Sequence, residues 1–216
     1  MAEQPIAVLW CDFGGVLTPP VTEAAARIAR AAGIPWPVLW RAIDAVASDL
    51  GLRGMAPLER GLLSQAEWGS RVEAALPIRP AIELGDWGEH WYRDRPVNTP
   101  LLAALARLRD SGVRIGMLTN SVREWEPYRE RMLRDHVRVF DAVVRSHERA
   151  IAKPDPRIFA VAEEHLPSGG AALLLDDGAV NCRAARDFGW QAHLHRDSND
   201  SVRLLARLAR RDVLPS

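Results

Sequence analysis

Four short apolar runs punctuate the chain, at residues 6–11, 113–118, 142–144 and 171–175. None of them alternates apolar with polar positions, which is how a strand buried on both faces of a parallel sheet reads. Three stop abruptly at polar residues: Asp12, Thr119 with Asn120, and Asp176 with Asp177. A weaker run at 191–194 predicts an edge strand. Helical stretches lie between the runs. Thr99 and Pro100 read as a cap and a first-turn proline, Leu101, Leu102, Leu105 and Leu108 form an apolar face, and Gly112 ends it. Asp155 and Pro156 start another helix carrying Ile158, Phe159 and Ala162, and residues 198–200 cap a basic helix through Arg211. Strands alternating with helices predict an α/β fold, a Rossmann-like doubly wound parallel sheet with right-handed crossovers.

Residues 19–96 break that alternation. Apolar positions recur there at helical spacing, Ala24, Ile28 and Ala31 and then Leu39, Ile43 and Val46, interrupted by Pro35, Pro37, Gly51, Gly54 and Pro57. No strand-like run appears. The expected organisation is a Rossmann-like core of residues 1–18 and 97–216 and a helical subdomain of residues 19–96, joined by linkers at 18–20 and 94–99. Of the eight tryptophans, Trp36, Trp40, Trp68, Trp87 and Trp91 fall in the insertion. The amphipathic spacing of Trp36 and Trp40 favours packing within the insertion over lining a substrate pocket.

Composition narrows the function. A 216-residue chain with 48% hydrophobic residues holds one sizeable core and a small accessory part. Lys plus Arg (28) equals Asp plus Glu (28), so no net field draws the protein to nucleic acid or an acidic membrane, and a small-molecule ligand is expected. No apolar run approaches the ~18 residues that span a bilayer. The N-terminus starts acidic and lacks the basic start of a signal peptide. Cys11 and Cys182 form no spaced framework and are expected to be reduced thiols, which suits a cytoplasmic protein.

In an open parallel sheet, ligands sit at the carboxyl ends of the strands. Asp12, Thr119, Asn120, Lys153, Asp176 and Asp177 all fall at or just after such ends. Asp12 is followed by Phe13, Gly14 and Gly15, a turn whose backbone amides can approach an anion. A carboxylate at that place suits a nucleophile or a metal ligand. Asp176 and Asp177 supply the hard oxygen ligands that Mg²⁺ prefers, while Lys153 and the Thr119 hydroxyl suit phosphoryl oxygens. A strand-end aspartate alone also reads as a turn cap, and an Asp pair as a helix N-terminus. Their convergence with Lys153 favours chemistry over capping. His90, His147 and His165 lack ligand-like spacing and are expected to be surface or satisfied residues, with His147 the one near Lys153 in sequence. Arg123 and Trp125 are candidates for substrate contact.

The strings WCDFGGVLT, MLTNS, KPDPRIF and LLLDDGAVN, in that order, resemble the four ordered motifs of the haloacid dehalogenase-like hydrolase superfamily. The helical insertion after the first string, with its segment LERGLLSQAEW, is similar to the cap of the phosphatase and dehalogenase branch. The resemblance implies a Mg²⁺-dependent phosphatase of a small phosphorylated substrate. By that resemblance Asp12 is the nucleophile that forms a phosphoaspartyl intermediate. Thr119 holds the phosphoryl group, Lys153 balances charge, and Phe13, Gly14, Gly15 and Asn120 contact substrate. Asp12, Asp176, Asp177 and the Gly14 carbonyl are implied Mg²⁺ ligands, with Asn181 in support.

One position departs from the phosphatase pattern. The aspartate that protonates the leaving group, two residues after the nucleophile, is here Gly14. General acid assistance is worth about 10² to 10⁴ in rate, so a slow enzyme that favours aryl over alkyl esters is expected. Two rivals follow: a protein that keeps the metal and phosphate pocket but turns over negligibly, and a 2-haloacid dehalogenase, which has less use for the acidic pair.

Overall fold

A computed structural model describes residues 5–211. Five parallel strands form one sheet in the order β3-β2-β1-β4-β5: β1 Val8–Cys11, β2 Arg114–Thr119, β3 Ala142–Arg145, β4 Ala172–Asp176 and β5 Gln191–Leu194. The two central neighbours of β1 are buried almost throughout, whereas β5 at the edge is half-exposed. Successive residues of a strand point to opposite faces. Leu9, Cys11, Ile115, Met117, Leu173 and Leu175 accordingly enter one apolar cluster, and Val8, Trp10, Leu118, Ala172 and Leu174 enter the other. Both faces are covered, which explains why the runs do not alternate.

On the first face lie α6 (Thr99–Asp110) and α11 (Ser198–Arg211), and on the second α9 (Pro156–His165) and α10 (Ala179–Phe188). Two short helices, α7 (Glu126–Leu133) and α8 (Ser146–Arg149), follow β2 and β3. Between β1 and β2 come α1 (Val21–Ala32), α2 (Trp36–Ser48), α3 (Ala56–Glu59), α4 (Gln65–Ala75) and α5 (Trp87–Tyr92), with no strand among the described residues. Their apolar faces, such as Ile28, Leu39, Ile43 and Trp68, join the same cluster as the first face of the sheet. The insertion is therefore packed on the core by continuous apolar contact. No described helix is long and apolar enough to cross a membrane.

Local side-chain signals start several of the helices. Ser64 and Glu67 form a reciprocal capping box at the start of α4, and Asp155 caps α9 by accepting from the Arg157 amide at 3.0 Å. Two expected caps shift. Asn98, not Thr99, caps α6, accepting from the Leu101 amide at 3.2 Å. At α11 the Asp197 side chain takes the Asp200 amide at 2.8 Å, ahead of the expected segment. Asn98 also ties the second expected linker to the residues just before the first. Its amide N–H donates to the Leu17 carbonyl at 2.8 Å, and its side chain donates to the Val16 carbonyl at 3.0 Å.

Candidate active site

Asp12 follows directly on β1, and its N–H extends the ladder to the Leu175 carbonyl at 2.9 Å. Thr119 and Asp176 are the last residues of β2 and β4, the strands that flank β1. Parallel register thus brings three side chains, far apart in sequence, to one end of the sheet. Lys153 reaches them from the loop before α9. Its Nζ lies 2.8 Å from the Leu118 carbonyl, 3.0 Å from Asp12 Oδ1 and 2.5 Å from Asp176 Oδ2. An ammonium has three N–H donors, and all three are used.

Asn120 fixes that lysine. Its side chain donates to the Lys153 carbonyl at 3.0 Å and accepts from the Lys153 amide at 2.8 Å, so the amide expected to meet substrate is engaged with the backbone of Lys153. The Thr119 hydroxyl makes only a 3.3 Å bond to the Asn120 carbonyl, a contact it can exchange for a ligand oxygen. Gly15 has φ +79°, and a Cβ built on it would lie 2.0 Å from Asp177 Oδ2. No other residue fits this turn beneath the Asp177 carboxylate.

Three carboxylates, from Asp12, Asp176 and Asp177, place ligand oxygens within 4.8 Å of one another. Against one ammonium they leave two negative charges over, the charge of a divalent cation, and oxygen donors of this kind fit Mg²⁺. The strain of crowding shows on Asp12. Burial pushes its carboxyl up to about 7, with Asp176 and Asp177 adding to the shift and Lys153 opposing it. Burial opposes the charge on Lys153, but the two carboxylates it touches hold its pKa above the usual range. The three acids are not equivalent. Asp176 is wholly buried, with Oδ2 on Lys153 and Oδ1 accepting from the Gly178 amide (2.7 Å) and Asn181 Nδ2 (2.9 Å). Asp177 is exposed.

A cavity of about 410 Å³ opens between the insertion and residues that adjoin this cluster in sequence, whereas Asp177 and Gly15 line a second cavity of about 510 Å³. Phe13, Gly14, Thr119 and Asn120 form the floor of the first, and Trp36, Trp40, Trp87 and Trp91 from the insertion its walls. The tryptophans therefore divide: Trp68 is buried against Trp87 (5.0 Å between ring centroids), while Trp36 and Trp40, 5.5 Å apart, both line the cavity and only Trp36 also packs on the core. Trp125 lines it too, stacked on Trp91 at 5.3 Å, whereas Arg123 faces a separate surface depression beside Ser64. His147 is buried and bound to the Ser121 hydroxyl at 2.9 Å, and His165 is exposed.

Three polar residues of this cavity carry no sequence signal of their own. Arg129 is 3% exposed, pairs with Glu126 at 3.2 Å and lies over the Phe13 ring at 5.1 Å. Arg95 donates to the Pro19 carbonyl and stacks on Trp91 at 5.4 Å. Glu59, at the end of α3, lies within the quoted LERGLLSQAEW segment, but nothing in its spacing marks it as a pocket residue.

The family model of the haloacid dehalogenase-like hydrolases matches residues 6–189. Among solved structures, a HAD family enzyme of Bacteroides thetaiotaomicron, in complex with magnesium and inorganic phosphate, superposes with a TM-score of 0.62 at 20% identity, covering 88% of this chain and 94% of that one. L-2-haloacid dehalogenase from Xanthobacter autotrophicus superposes with a TM-score of 0.62 at 22% identity, covering 91% and 80%. The rat bifunctional epoxide hydrolase 2 is 28% identical over 118 residues, 53% of this chain but only 21% of the relative's length. With the motif strings at the strand ends and the family match running across most of its length, the chain belongs to the haloacid dehalogenase-like hydrolase family.

Proposed function

We propose that the protein is a Mg²⁺-dependent phosphatase of small organic phosphate monoesters, acting through a phosphoaspartyl intermediate on Asp12, with the inserted helices as the cap over the substrate. The observation that carries this reading is the Lys153 ammonium bridging Asp12 and Asp176 beside a third carboxylate, which leaves a charge deficit of divalent size. The Bacteroides neighbour, of the same fold, was solved with magnesium and phosphate. The apolar part of the ester would sit among Trp36, Trp40, Trp91 and Trp125. Two free thiols, Cys11 and Cys182, suit a cytoplasmic setting.

Asp12 supplies the attacking oxygen, and the Lys153 contact holds the other oxygen in place. Lys153 and the Thr119 hydroxyl offset negative charge on the phosphoryl oxygens as the bond to the leaving oxygen stretches. The acidic trio of Asp12, Asp176 and Asp177 would hold Mg²⁺, which when bound would supply the remaining charge neutralisation at the phosphoryl group. Water then releases phosphate and regenerates Asp12. Displacement of halide from carbon makes no comparable use of the acidic trio.

The test is phosphate release from a panel of organic phosphates with and without Mg²⁺, with halide release from 2-haloacids measured in parallel. Asp12→Asn is expected to lower phosphate release by about 10⁴ or more, as loss of a nucleophile does. Near wild-type turnover in that variant, or halide release without phosphate release, overturns the reading.

A further inference from the structure

Gly14 offers no side chain to protonate the ester oxygen, and the cavity it lines has one carboxylate among its described lining residues, that of Glu59. Two bonds to the core pin this turn of the insertion. The Ser146 hydroxyl donates to the Glu59 carbonyl, and Arg60 Nε donates to the Ala150 carbonyl at 2.9 Å. The approach is close enough that a Cβ on Gly61 would lie 3.0 Å from the His147 carbonyl oxygen. Glu59 is thereby held to α8 and the residue after it, and it lines the cavity together with Gly14, Thr119 and Asn120. Asn120, which lines the same cavity, grips the backbone of the lysine that touches Asp12.

Resting on the phosphatase reading, we propose that Glu59 is the general acid and base of this site, filling the role that Gly14 vacates. As an Asp12 oxygen bonds to phosphorus, the bond from phosphorus to the ester oxygen breaks and the Glu59 proton passes to that oxygen. A neutral alcohol leaves, and Glu59 is left as a carboxylate. Glu59 next takes a proton from water while the water oxygen bonds to phosphorus. The phosphorus bond to Asp12 breaks, giving inorganic phosphate, a free Asp12 carboxylate and a reprotonated Glu59.

Burial favours the protonated form that the first step needs, raising the Glu59 carboxyl above its ordinary range against the pull of Lys153 and the Asn120 hydrogen bond. Several charged groups on the neighbouring elements are otherwise engaged, and Arg95 and Arg129 line the same cavity. His147 of α8 is held by Ser121 and Glu126, Glu148 by Arg145, and Glu67 of α4 by Ser64. Lys153 is the charge that acts on Glu59.

Glu59→Gln keeps the shape of the side chain and leaves both backbone pins in place. On an alkyl phosphate, whose alkoxide needs a proton to leave, turnover of E59Q is expected to fall by about 10² to 10⁴. The first-turnover burst of nitrophenolate from nitrophenyl phosphate is expected to change little, since that anion leaves unaided, and Mg²⁺ affinity by calorimetry should be unchanged. Gly14→Asp in the E59Q background should restore part of the alkyl turnover. A Cβ at position 14 meets only the Val21 Cγ1 methyl at 3.3 Å, and Gly14 is outside the left-handed region. In the wild-type protein the alkyl reaction should lose rate on the basic side of its pH profile, whereas the nitrophenolate burst should not. Alkyl turnover of E59Q within about threefold of wild type, against the 10² or more expected of a lost acid, overturns Glu59 and leaves the phosphatase reading standing. A wild-type protein that releases no phosphate from any ester overturns both. If E59Q does not fold, the wild-type profile decides, and a flat basic side on the alkyl ester overturns the assignment.

Discussion

At the end of β4 both oxygens of Asp176 are committed, one to Lys153 and one to the Gly178 amide and Asn181, while Asp177 next to it stands exposed over Gly15. A carboxylate already bound by an ammonium and two N–H donors is best suited to orienting its neighbours, and an unengaged one to direct ligation. Asp177→Ala is accordingly expected to remove calorimetrically detectable Mg²⁺ binding. Asp176→Asn, which loosens Lys153 without removing the exposed ligand, is expected to weaken Mg²⁺ by about 10 to 100-fold, as loss of an outer-shell partner does. Equal loss in the two variants would mean that Asp176 binds the ion directly. Gly15 sets the limit of tolerance here, because any side chain on it meets the Asp177 carboxylate.

Among the elements, α6 joins the insertion to the sheet domain, and its N-terminus carries more than a cap. The Asn98 side chain accepts from the Leu101 amide and from the Ser198 hydroxyl (2.8 Å) and donates to the Val16 carbonyl. One residue thus ends the returning linker, starts α6 and ties both to α11. Asn98→Ala is expected to destabilise the protein by about 1 to 2 kcal/mol, the upper range for a lost cap. Thr99→Ala, at the position that the Thr-Pro pair suggests, is expected to cost no more than about 0.5 kcal/mol, as at an ordinary surface site. Denaturant melts of the two variants decide between the residues, and the reverse order would return the cap to Thr99.

For the molecule as a whole, a balanced net charge conceals a locally acidic site. In the unfolded chain Asp12 titrates near ~3.9, and in the folded protein without metal burial raises it to about 7. Between those values the folded state holds a proton that the unfolded state has lost. Stability therefore falls as pH rises through that window and levels off above it. Glu59 is also shifted upward by burial and acts with the same sign. Mg²⁺ needs ionised carboxylates, so its affinity should rise with pH until Asp12 is ionised. Thermal melts at about pH 5.5 and pH 8 should show the larger Mg²⁺-induced stabilisation at the higher pH. Equal stabilisation at both would mean that Asp12 is already ionised at the lower pH and not shifted as its surroundings imply.

The family, the parallel sheet and the strand-end cluster were legible in the chain for one reason. Strands buried on both faces read as short apolar runs, and parallel strands all deliver the residue after the run to the same end of the sheet. Asp12, Thr119 and Asp176 needed no further information to be placed together. The helical character of the insertion was legible in the same way, from a period of 3.6. What tertiary structure alone decided is whatever depends on segments remote in sequence. Asn98 rather than Thr99 caps α6 because Val16 and Ser198 fold beside it. Trp36 serves packing and cavity together, whereas Trp40, one turn further on, lines the cavity while staying exposed. Arg129 stands in the charged stretch Glu-Pro-Tyr-Arg-Glu-Arg, which reads as a solvated face, yet it is buried because Phe13 and Glu126 close over it. Glu59 acquires its place from Ser146 and, through its neighbour Arg60, from Ala150, neither of which is near it in the chain. Periodicity records which face of an element is buried, but a charged residue's burial depends on what the fold sets against it, and no local pattern encodes that.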